Sequence, residues 1–161
     1  MVLVPENVEM LVRHGVLSEA EIASRYEISM ENYVRTVHIE ALTMADMARR
    51  EILPAIIRYC GDLTDSVLAK RKAWPELPCE CETKLILTLS GLIDGIDKAI
   101  EDLASCADAK ADQDSTEQAF YIRDVVLGKM AALRALCDKA ETLTAASYWP
   151  FPTYGDLLFG V

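Results

Sequence analysis

Residues 30–67 read MENYVRTVHIEALTMADMARREILPAIIRYCGDLTDSV, and the spacing of the apolar positions in this stretch decides the fold. Met30, Tyr33, Val34, Val37, Ala41, Met44, Ala45, Ala48, Ile52, Ile56, Ile57, Cys60, Leu63 and Val67 recur mostly in steps of three or four. That rhythm places them on one stripe of a helix and leaves the charged residues on the other side. The spacing predicts a single long helix over 29–74, N-capped by Ser29. Pro54 inside it has no N–H to donate to the carbonyl of Arg50, so a kink is expected near Leu53. Lys70, Arg71 and Lys72 suit the helix C-terminal dipole as a solvated end, and Trp74-Pro75 with Pro78 stops the helix.

The same reasoning extends in both directions. Over 1–28, Val8, Leu11 and Val12 mark a short helix closed by Gly15, and Ser18 with Glu21 forms a capping box that opens another. A second stripe, Leu85, Ile86, Leu89, Leu92, Ile93, Ile96, Ile100 and Leu103, predicts a helix over 80–106 antiparallel to the first. Its carboxylates Asp94, Asp97, Glu101 and Asp102 read as a solvated face. The polar, acidic segment from Ala107 to Asp114 is expected to connect. A third stripe, from Ala119 through Val126, Leu133 and Cys137 to Leu143, predicts a helix over 115–147 that starts with a capping box of Ser115 and Gln118. The expected fold is therefore all-α: one domain, 1–161, with a bundle of three long antiparallel amphipathic helices, short N-terminal helices and an aromatic, Pro-containing tail over 148–161.

Composition agrees and narrows the function. The chain has 161 residues, 52% of them hydrophobic, with only 7 Gly and 6 Pro, which suits one helical domain with few turns. The 26 acidic and 16 basic residues leave a net charge of -10, which opposes binding to nucleic acid or to an anionic membrane surface. No apolar run reaches the ~18–20 residues of a membrane span and no signal-peptide pattern opens the chain, so a cytoplasmic address is expected. The five cysteines, Cys60, Cys79, Cys81, Cys106 and Cys137, read as reduced thiols.

Motifs that carry chemistry are sparse. A dinuclear carboxylate centre in a bundle needs Glu-x-x-His pairs, and neither His14 nor His38 has a carboxylate at that spacing. Cys79-Glu80-Cys81 has no second pair to complete a zinc site. Nucleotide-binding glycine motifs do not occur in the sequence. No catalytic, cofactor-binding or metal-binding residue is assigned. The one constellation that asks for a partner is the tail, where Tyr148, Trp149, Phe151, Tyr154 and Phe159 offer several hundred Å² of apolar surface, about 150–250 Å² for each large aromatic. It either folds back on its own bundle or docks on another domain or subunit.

Several segments resemble one family. The stretch from Gly15 to Glu27, Glu31-Asn32-Tyr33, Ile39-Glu40-Ala41-Leu42-Thr43-Met44, Ile52-Leu53-Pro54-Ala55 and the ending from Tyr148 to Tyr154 resemble the C-terminal region of type III glutamine synthetases. The resemblance implies a fragment of a longer chain in which a β-grasp segment and a catalytic α/β domain come first. In such an enzyme ATP phosphorylates the glutamate γ-carboxylate and ammonia displaces the phosphate, with divalent Mg or Mn neutralising charge. The family's Lys-His-Asn-Asn-Trp-Ser-like nucleotide motif has no counterpart here, so no catalytic residue carries over, and ATP and metal belong to the parent enzyme only. The resemblance further implies a homo-oligomeric parent, with the catalytic domain of the same chain as partner and a structural, subunit-contact or regulatory role for this part. The alternatives are a free-standing helical interaction module and, more remotely, a bundle metalloenzyme.

Overall fold

A computed structural model of the chain describes residues 4–107, 114–152 and 154–159, the side chains of 154 and 155 excepted. The expected Ala107–Asp114 connection lies mostly outside the described residues, and so does Met1. Helix α1 (Pro5–Arg13) begins with proline, whose missing N–H would go unused in a first turn. It ends at Gly15, φ +65°, where the N–H of Val16 donates to the Leu11 carbonyl and that of Gly15 to the Val12 carbonyl, both at 3.0 Å. This paired closure uses two carbonyls the helix end would otherwise leave open.

The long helix starts earlier than the sequence suggested. Ser18 caps α2 (Glu19–Met47) reciprocally: the Glu21 N–H donates to its hydroxyl at 3.3 Å, and its own N–H donates to the Glu21 carboxylate at 2.8 Å. From there the chain continues through one π-helical turn (Ala48–Ile52) into α3 (Leu53–Ala73), 55 residues in all. At ~1.5 Å per residue the rod is about 80 Å long. The expected start at Ser29 is thus corrected: its hydroxyl donates to the Arg25 carbonyl at 2.8 Å, one turn back, and the helix passes through.

Pro54 is accommodated by widening. The Leu53 N–H donates to the Ala48 carbonyl, five residues back, and the α-helix resumes at once. The widened turn keeps Ala48 and Ile52 both buried. A second π turn (Ile122–Val126) separates α5 (Ser115–Tyr121) from α6 (Leu127–Glu141) and likewise keeps Ile122 and Val126 buried, although no proline follows it.

Helix α4 (Glu80–Ala107) follows the turn that Trp74-Pro75 and Pro78 enforce. It runs antiparallel to the first rod, since Glu82 meets Lys70 at one end and Ala107 meets His38 at the other. Asp114, rather than Ser115, caps α5, taking the Thr116 N–H at 3.1 Å; the expected Ser115–Gln118 box gives way because Ser115 is already helical. The third rod ends at Glu141 instead of 147. There the Thr144 N–H and hydroxyl both turn back to the Ala140 carbonyl, at 2.9 and 2.8 Å, and close the helix.

The all-α expectation holds, with no strand among the described residues. Helix α4 packs on both other rods, and the first rod also packs directly on α5, so Leu89, Leu92, Ile96, Ile100 and Leu103 of α4 lie in one shared core. Val37, Ala41, Ala45 and Ile56 of the first rod and Ile122, Val126, Leu133 and Cys137 of the third complete that core. Gly95 lies where the Leu136 methyls approach, so that an added Cβ would stand 3.7 Å from them.

Candidate functional site

The tail returns to the bundle in its first half. Trp149 and Phe151 pack against the core and meet edge to face, with ring centroids 6.4 Å apart and planes at 76°. The Tyr148 ring lies 5.1 Å from that of Tyr59 on α3, and its hydroxyl donates to the Asp62 carboxylate. Donating that proton and facing a negative charge push the Tyr148 hydroxyl above its ordinary value. Tyr148, Trp149 and Phe151 are therefore half-buried parts of the domain.

The second half does not follow. Helix α7 (Tyr154–Phe159) forms beyond Pro152, and Phe159 is 80% exposed. The side chain of Tyr154 lies outside the described residues. The sequence reading missed Leu157 and Leu158, which stand exposed beside Phe159; their apolar adjacency next to the aromatics was the available signal.

Phe151 also walls a groove of about 640 Å³ between the first rod and α6. Ile39, Met44, Met47 and Ile52 line one side and Met130, Leu133 and Cys137 the other, with Glu40, Arg134 and Asp138 at the rim. Three flexible methionines give this surface an adaptable apolar lining. Burial pushes the Cys137 thiol up to about 11, which holds it protonated and unreactive. Arg134 is engaged by Asp138 at 3.5 Å.

Several of the other polar residues have structural partners. His38, half-buried beside a smaller pocket of about 290 Å³, places Nδ1 3.2 Å from the Ala107 carbonyl. His14 is exposed at the end of α1. Cys79 is buried at φ +42° just before α4, where its carbonyl accepts the Thr83 N–H at 3.1 Å, while Cys81 is exposed. Lys70, expected in a solvated run, donates to Glu82 at 2.5 Å, which raises the ammonium and lowers the carboxyl from their usual values. Asp102, expected on a wet face, instead pairs with Lys129 of α6 at 2.8 Å, across the seam between the helices, and its carboxyl is lowered by that bond. Among the described residues no three His, Cys, Asp or Glu side chains gather as a metal site, and no helix is long and apolar enough to cross a membrane.

Comparison with known proteins points one way. Residues 1–71 match the family model described as the glutamine synthetase C-terminal domain. A glutamine synthetase of Butyrivibrio fibrisolvens is 33% identical over 97% of this chain and 22% of its own length. One from Bacteroides fragilis is 25% identical over 93% of this chain and 21% of its length, and a type-3 glutamine synthetase of Dictyostelium discoideum is 23% identical over 96% and 22%. The chain thus spans about a fifth of the length of these relatives.

Proposed function

This chain is homologous to a part of glutamine synthetase, and from that premise we propose that it serves as a non-catalytic, cytoplasmic helical domain that braces a type III enzyme and shapes its subunit contacts. The observation that carries the reading is coverage: the similarity takes in 97% of this chain but 22% of the relative. A rigid three-rod bundle suits bracing, because rods of this length carry strain between their ends without a central active site.

The catalytic part of such an enzyme would be the partner, and it would hold the ATP and the divalent Mg or Mn that glutamine synthesis uses. The residues here do not fit those groups. Among the described residues Asp46, Glu82, Asp102, Asp124 and Asp138 pair with lysine or arginine, and no three His, Cys, Asp or Glu side chains gather at one point. No step of the reaction is routed through this chain.

The test is direct. The purified chain, given glutamate, ammonia, ATP and Mg or Mn, is expected to release no phosphate above background; glutamate-dependent release would overturn the non-catalytic role. Co-expressed with the catalytic part of a type III enzyme, it is expected to co-purify. Failure to do so would favour the alternative, a free-standing helical interaction module, for which the exposed Leu68, Trp74 and Leu87 offer apolar surface.

A further inference from the structure

The chain carries an apolar knob and an apolar groove that do not meet each other. Leu157, Leu158 and Phe159 of α7 are 67, 72 and 80% exposed. The groove walled by Ile39, Met44, Met47, Met130 and Phe151 holds about 640 Å³, ample for three such side chains. The two features are continuous in the chain, since Phe151 packs on the core, forms one end of the groove, and precedes α7 by only two residues.

We propose that the groove of one copy seats α7 of a second copy, and that the exchange is reciprocal. Its own α7 is a poor occupant. Leu157, Leu158 and Phe159 of the same copy stand exposed and none of them lines the groove. Area argues for exchange over one-way docking. Burying two leucines, a phenylalanine and the matching groove surface removes roughly 700–800 Å² from water, the scale of a crystal contact. Reciprocal exchange doubles this to about 1,500 Å², the scale of a stable interface. A knob and a pocket on the same molecule close into a twofold dimer when they swap, and no open edge remains to propagate. The inference concerns this chain alone and holds whether or not the domain braces a synthetase.

The test is molar mass by light scattering over a concentration series. The unaltered chain is expected to pass from monomer to dimer. A knob variant, Leu158→Asp with Phe159→Asp, and a groove variant, Ile39→Glu with Met47→Glu, are each expected to weaken the dimer roughly tenfold or more. Mixed in equal amounts, the two are expected to regain part of the association, because one intact knob then meets one intact groove. All four positions are exposed, and unchanged helical circular dichroism checks the fold; a chain ending at Pro152 serves as a second knob deletion. A monomer at every concentration overturns the proposal. So does a dimer that ignores both variants, or a monomer whose knob variant merely gains dye binding at the groove, since that places α7 in its own groove.

Discussion

The middle of the bundle and its far end share α3 and α4, yet burial is dense in the middle and sparse at the far end, where Val67 and Cys79 are buried. Between Val37 and Ile56 the first rod meets α4, and α4 meets the third rod, so Ile96, Ile100 and Leu133 are fully buried. Beyond about Leu63 the third rod has ended, and α3 and α4 continue as a pair. There Leu68 and Leu87, which lie off the buried stripe, are more than 60% exposed; the pair is held by the buried Val67 and Cys79 and by the Lys70–Glu82 bridge, while the Tyr148–Asp62 bond ties the tail to α3 just before it. An amphipathic stripe buries fully only where it has neighbours on two sides; a helix pair covers one seam.

The sharpest way to break this comparison is a matched pair of truncations. Ile96→Ala is expected to cost about 2–5 kcal/mol in urea unfolding, because a packed site collapses only partly around the cavity. Leu87→Ala is expected to stay within ~0.5 kcal/mol, the usual range for an exposed position. Equal effects would mean the far end is covered by something else in solution.

Next in size is the tail. Trp149→Ala or Phe151→Ala is expected to cost about 2–3 kcal/mol, short of the full-burial range because both rings are half-exposed. Thermal unfolding that does not move would detach the tail from the bundle and place it elsewhere.

These elements were not equally legible in the sequence. The three stripes were plain because helical periodicity is a property of long runs, and each supplied the buried set seen here. Ser29 misled because a serine hydroxyl serves equally as an N-cap or as a donor to the carbonyl four residues back, and only the backbone conformation decides. The unbroken spacing Ile22, Tyr26, Met30, Tyr33 already contained the correct answer. The split tail was hidden for another reason: aromatic density shows that a surface needs cover, but which half finds it depends on where the third rod ends, a tertiary fact.

A smaller effect is expected at Pro54. In a regular α-helix, replacing an interior proline with alanine gains up to ~3 kcal/mol. Here the π turn already absorbs the missing donor and keeps Ala48 and Ile52 both buried, so Pro54→Ala is expected to gain less than about 1 kcal/mol. A full gain in chemical unfolding would show that packing tolerates the widened turn without requiring it.

The smallest effects lie at the two-helix end and are best read against pH. Glu82 is held below its usual 4.5 by Lys70, so what the bridge adds is present above that value and fades as pH falls through the lowered one. Tyr148 is raised above 10.0 by Asp62, so its share is present below 10 and fades as pH rises through the raised value. Amide protection factors in α3 from Asp62 onward, which discount the intrinsic change of exchange rate with pH, are therefore expected to fall at both extremes while those of the middle of the bundle hold. Lys70→Met should remove the acid-side change alone, and Tyr148→Phe the alkaline-side change alone. Because these groups are solvent-screened, both shifts should be small and should shrink further with added salt for the Lys70 bridge. If the middle responds as strongly as the end, the two regions unfold as one unit, and the third rod does less to separate them than the burial pattern implies.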